Sequence, residues 1–158
     1  MRVLGIDPGI ERTGFAVVDV DGHAMRAVEY GCIMTPSTSS TAERLVELKR
    51  DLTALIAQHQ PQVAAVERLV FVHNATSAAA VGAARGVILL ALAEAGMPMS
   101  EYAPTEVKRA VASGSADKNQ VGRAVATIFK LPAPPSPDDA ADALALAVCH
   151  ASHVPAAA

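Results

Sequence analysis

The chain has 158 residues, the length of one domain with little left over for a second. Hydrophobic residues make up 51 % of it, enough for a sizeable core. With no Trp, and only Phe15, Tyr30, Phe71, Tyr102 and Phe129 as aromatics, that core must be packed with Ala, Val and Leu. The net charge of −3 speaks weakly against a nucleic-acid partner. Five of the 13 basic residues nevertheless fall within 101–130 (Lys108, Arg109, Lys118, Arg123 and Lys130), so the charge distribution keeps that partner open.

Cys32 and Cys149 are far apart, with no CxxC and no nearby His pair, which argues against a zinc site and against a disulfide framework. Both read as small buried hydrophobes. The chain opens directly on the strand-like Val3-Leu4-Gly5-Ile6, so no secretory leader is expected. The longest apolar run, Val87 to Ala93, is well short of the ~20 residues that span a bilayer. A soluble cytoplasmic protein without membrane contact is the expectation.

Residues 2–7 read as a short apolar strand, stopped by the turn signal Asp7-Pro8-Gly9. A second strand is predicted over 13–20, a hairpin at Asp21-Gly22, and a third strand over about 24–34, making an antiparallel meander. Thr35 to Ser40 is a polar turn. Leu45, Leu48, Leu52, Leu55 and Ile56 recur at helical spacing, predicting an amphipathic helix over 42–59 that Pro61 ends. Val63-Ala64-Ala65-Val66 has the continuous apolar character of a buried parallel strand and ends at Glu67. An Ala-rich helix follows over 74–95, with Ala79, Gly82 and Gly86 on a small-residue face. A strand is predicted at 98–102, helices at 104–112 and 117–130, a Pro-rich link from Pro132 to Pro137, and a last helix from Asp138 to about Ser152. The order β-β-β-α-β-α-β-α-α-α makes a mixed α/β domain over 1–158, with three antiparallel strands plus parallel ones flanked by helices.

Four acids stand out by position. Asp7 and Glu67 end strands, where sites gather in α/β sheets, and Asp139 and Asp142 are three apart on one face of the last helix. Each has an ordinary structural alternative. Asp7 is a common turn starter, and Glu67 can be an exposed strand end. Ser136-Pro137-Asp138-Asp139 reads as a helix start, with a Ser cap, Pro at the first position and acids at the positive end of the dipole. Asp142, set among Ala and Leu, is harder to explain that way. Carboxylates converging on one point repel and raise one another's pKa, and hard divalent cations such as Mg²⁺ or Mn²⁺ relieve this. Two such ions ~4 Å apart can clamp a phosphodiester.

Gly5-Ile6-Asp7-Pro8-Gly9 with Thr13-Gly14 resembles the opening of the RuvC family of Holliday junction resolvases. Glu67 with Asn74 and Ala83-Ala84-Arg85-Gly86 is similar to its second block. Tyr102-Ala103-Pro104, Val107-Lys108 and Gly114-Ser115-Ala116-Asp117-Lys118 resemble its third, and Asp139-Ala140-Ala141-Asp142-Ala143-Leu144-Ala145 its last. Four blocks in order across nearly the whole chain make the likeness specific.

The resemblance implies an RNase H-like fold and a homodimer. It implies Mg²⁺-dependent cleavage of paired strands in four-way junction DNA, with Mn²⁺ as a possible substitute and two ions per site. It assigns the catalytic, metal-holding acids to Asp7, Glu67, Asp139 and Asp142. It places Lys108 and Lys118 near phosphate, with Arg109 and Phe71 as further DNA contacts, and makes the RuvA–RuvB branch-migration complex the partner. The family's aromatic three residues after the glutamate falls on Val70; Phe71 next to it is the candidate substitute, with a shifted loop or a place for Phe71 in the core as the alternatives. Asp138, beside Asp139, opens an off-by-one alternative for the metal ligands. Competing functions are another RNase H-like nuclease acting on RNA or other DNA, an actin-like ATPase (which needs two such domains), and a non-catalytic junction binder, which would not need all four acids.

Overall fold

The computed structural model describes residues 1–70 and 74–154. Its elements are β1 (Arg2–Asp7), β2 (Arg12–Asp21), β3 (Ala24–Met34), α1 (Thr41–His59), β4 (Val63–Glu67), α2 (Ala75–Glu94), β5 (Met99–Tyr102), α3 (Pro104–Val111), α4 (Lys118–Ile128) and α5 (Asp138–His153). The sheet has the order β3-β2-β1-β4-β5. β1, β2 and β3 form the antiparallel meander, while β4 pairs parallel to β1 and β5 parallel to β4. Gly22, in the β2–β3 turn, has φ +57, the left-handed conformation that glycine takes without strain.

Strand alternation divides the core in two. Leu4, Ile6, Val17, Ala64 and Val66 point to one face, where Leu48, Leu52 and Leu55 of α1 and Ala84, Ile88, Ala91 and Leu92 of α2 cover them. Val3, Ala16, Val18 and Ala65 point to the other, against the Ala-rich α5, with α3 and α4 packed behind it. The α1 start is well specified. Ser40 accepts from the Glu43 N–H and Glu43 returns the bond to the Ser40 N–H, a capping box.

Helix α2 is 20 residues long with mean hydropathy 1.7, long and apolar enough by length and composition to cross a membrane, which its longest unbroken apolar run did not suggest. It is nonetheless one wall of this core, with Ala84, Ile88, Ala91 and Leu92 buried. A second correction concerns the start of α5. Ser136 does not cap it: Pro137, in extended conformation, occupies the cap position with no side-chain bond, and Asp138 is the first helical residue.

α5 lies unusually close to the sheet. A Cβ on Gly5 of β1 would overlap the Ala143 carbonyl, and one on Gly14 of β2 would overlap the Asp139 carbonyl. Two glycines on adjacent strands, meeting an alanine-rich helix face, let backbone rest on backbone. This contact carries the acidic start of α5 over the end of β1.

Candidate active site

Asp7 is two residues beyond Gly5 on β1, so it projects to the α5 side of the sheet, as Glu67 does two residues beyond Ala65 on β4. The parallel register pairs Ile6 with Val66, which sets Asp7 beside Glu67 at adjacent strand ends. The two carboxyl groups face each other closely enough that each shifts the other's protonation, Asp7 upward and Glu67 downward. Asp142 comes in from α5. Asp7, Glu67 and Asp142 then line one cleft together with Pro104, Val107 and Lys108 of α3 and Lys118 and Val121 of α4. Lys118 Nζ stands 3.5 Å from Asp142 Oδ2.

Burial first, then the charges of Glu67, Asp142 and Asp139, push the Asp7 pKa up to about 9. Burial also raises Glu67, and Asp142 adds to it, while the facing Asp7 carboxyl and the charges of Lys118 and Lys108 partly offset the rise. Asp142 is raised by burial against the pull of Lys118. For Lys118 burial acts downward, but the charges of Asp142 and Asp138 outweigh it and its pKa is raised. The cleft therefore holds more carboxylate than its two lysines neutralise.

Asp139 stands apart. It does not line the cleft, although its charge reaches Asp7. Its Oδ2 is 3.2 Å from Arg12 Nε. Asp138 points outward with 64 % of its side chain exposed and borders a groove with Lys118, Asn119 and Arg123. Among the described residues, no three acidic, His or Cys side chains are gathered into a ready-made ligand set. Two of the four carboxylates already face a cation of the protein, Asp142 beside Lys118 and Asp139 beside Arg12. The donor chemistry fits a hard divalent cation, since every group is a carboxylate oxygen and the four acids outnumber Lys108, Lys118 and Arg12 beside them.

Of the predicted DNA-contacting residues, Lys108 and Lys118 flank the acids. Arg109 is exposed on another side of α3, its side chain lying over Gly114. Phe71 lies outside the described residues; the preceding Leu69 and Val70 are exposed and border a hollow with Pro8, Val81 and Arg85 on the far side of Glu67. Arg12 is the site residue that sequence reasoning missed. Its signal was the hairpin register: Asp7 pairs with Gly14, so the basic residue two before Gly14 falls beside the end of β1. Cys149 is buried as expected, whereas Cys32 is only partly so, and burial raises the thiol pKa of both to about 11.

A family model described as "Crossover junction endodeoxyribonuclease RuvC" matches residues 3–150. The chain belongs to the RuvC family. The RuvC of Chloroflexus aggregans is 51 % identical over 98 % of this chain and 95 % of its own length. That of Roseiflexus sp. is 48 % identical over 98 % and 92 %. The structure described as "T. thermophilus RuvC in complex with Holliday junction substrate" superimposes with TM-score 0.87 at 35 % identity, covering 96 % of this chain and 93 % of that one. Mixed sheet and flanking helices are thus the RNase H-like arrangement of RuvC resolvases, and RuvC-family nucleases depend on a divalent metal.

Proposed function

We propose that this RuvC-family nuclease resolves four-way DNA junctions in recombination and repair by paired phosphodiester cleavage, acting in the cytoplasm as a homodimer alongside RuvA–RuvB. The observation that carries the reading is the cleft in which Asp7, Glu67 and Asp142 face Lys108 and Lys118, on a chain similar over nearly its whole length to a RuvC solved with a Holliday junction. The match over 3–150 supports reading 1–158 as one nuclease domain.

Asp7, Glu67, Asp142 and Asp139 would hold the cations, Mg²⁺ by preference and two in number. When bound, these ions supply activation of the attacking water and stabilisation of the leaving oxygen. The chain's own residues do the rest. Lys108 and Lys118 hold the scissile phosphate against the acids, and their ammonium groups offset its charge. α5 and the strand ends fix the carboxylates on rigid backbone. The buried Ile6 and Val66 beneath Asp7 and Glu67 keep water out of the sheet below the site.

A second copy would dock on α2. Ala79, Gly86 and Leu90 are exposed along it; among the described residues nothing would meet a Cβ on Gly86, and one on Gly82 would meet only a Leu69 methyl at 4.0 Å. The small-residue face is thus open rather than packed on its own sheet, and it admits close approach of a symmetric partner. A monomer by light scattering at micromolar concentration would reject the dimer.

The deciding experiment is a labelled four-way junction and a matched duplex, each incubated with the protein with and without Mg²⁺. Symmetric nicks in the junction alone, dependent on Mg²⁺, are expected. Equal cleavage of the duplex would favour a less selective nuclease of the same fold.

A further inference from the structure

Arg12 is a basic residue at the edge of the carboxylate cluster to which the preceding reading gives no part. Its Nε is 3.2 Å from Asp139 Oδ2, with half of the Arg12 side chain exposed. The turn leading to it is tied down. The Thr13 hydroxyl donates to the Gly9 carbonyl, and the N–H and hydroxyl of Thr35 donate to the carbonyls of Glu11 and Ile10. Asp139 is equally fixed, its backbone seated on Gly14. The backbone at both ends of the pair is therefore positioned by the fold and not by the pair itself.

Asp139 is also the one of the four acids that does not line the cleft. Arg12 neutralises the Asp139 carboxylate from its Oδ2 side, and a divalent cation arriving at that carboxylate repels the guanidinium. Once displaced, Arg12 is a half-exposed guanidinium beside the proposed cleavage site. Its planar fork of donors matches a phosphate.

We propose that Arg12 is the resident counter-ion of Asp139 in the metal-free protein and moves to a phosphate of the bound DNA strand when a cation takes Asp139. Arg12 is thus a positioning residue that couples cation loading to DNA contact. The inference rests on Asp139 being a cation ligand.

The test has two readouts besides cleavage. Mg²⁺ binding to the full chain without DNA is measured by titration calorimetry for the wild type, Arg12→Gln, Asp139→Asn and the double variant. Arg12→Gln is expected to bind Mg²⁺ roughly two- to fivefold more tightly, the size of effect of a half-exposed ion pair. That gain should vanish in the Asp139→Asn background. Junction binding is then measured against salt concentration with Ca²⁺ in place of Mg²⁺. There Arg12→Gln should bind more weakly, with the log–log salt slope smaller by about 0.9, one phosphate contact.

If Asp139→Asn leaves Mg²⁺ affinity unchanged, Asp139 is no ligand, and both that reading and this inference fall. If Asp139→Asn weakens Mg²⁺ binding while Arg12→Gln does not tighten it, or if the gain persists without Asp139, only the role of Arg12 is overturned. An unaltered salt slope removes the phosphate contact.

Discussion

Asp7→Asn should stabilise the metal-free protein while abolishing its cleavage. Asp7 sits where the carboxylates crowd most, and with its pKa raised from 3.8 to about 9 it holds a proton at neutral pH. In the unfolded chain the same group is ionised at pH 7, and keeping it protonated there costs about 4 kcal/mol. That is a ceiling, because the folded site relaxes around a charge, and about 1–3 kcal/mol is the expected gain from an Asn of the same shape. The sign follows from proton uptake. The folded state binds the extra proton, so Asp7 costs stability increasingly as pH rises from about 4 towards the raised pKa, and the benefit of Asn grows over the same range. For a chain of this size the gain corresponds to a Tm higher by roughly 3–10 °C. Thermal unfolding in EDTA at pH 5 and at pH 8 measures it. Saturating Mg²⁺ should narrow the gap, because cation binding to the folded state stabilises the wild type more than the variant. Single-turnover cleavage of a four-way junction should fall at least ~10²-fold with binding retained. A Tm in EDTA that is unchanged or lower at both pH values would refute the crowding argument, and near wild-type cleavage would remove Asp7 from the catalytic set.

Asp139→Asn and Asp142→Asn should each lower the single-turnover rate by at least ~10²-fold, whereas Asp138→Asn, exposed and outside the cleft, should stay active; a dead Asp138→Asn with an active Asp139→Asn would shift the ligand register by one residue. Lys108→Ala and Lys118→Ala should weaken junction binding for every sequence tested and lessen its salt dependence, and an unchanged slope in both would take them off the phosphate. Arg109→Ala, pointing away over Gly114, should leave that slope as it is. Gly14→Ala should destabilise by at least about 1–3 kcal/mol, because its Cβ would drive into the Asp139 carbonyl and push α5 off the sheet, and a wild-type denaturation midpoint would contradict the close approach.

Local patterning carried the elements. Apolar runs, the Asp21-Gly22 turn and the leucine spacing of α1 each act within a few residues of chain, so strand and helix positions could be read with bounds close to those observed. The same holds for the mixed sheet, since a meander followed by alternating helices and strands permits few other topologies. What linear patterning could not supply was which charges face each other. Gly5 and Gly14 read only as small residues until α5 was seen resting on them. That contact brings Asp142 to Asp7 and Glu67 from far along the chain, and it leaves Asp139 beside Arg12. The Ser136 cap failed for a related reason: a capping signature names residues able to cap, but the path of the Pro-rich link decides where the helix begins. Periodicity is a property of neighbouring residues, so sequence reveals it directly. Ion pairing and desolvation depend on distances across the fold, and only the packing of α5 against β1 and β2 determines them.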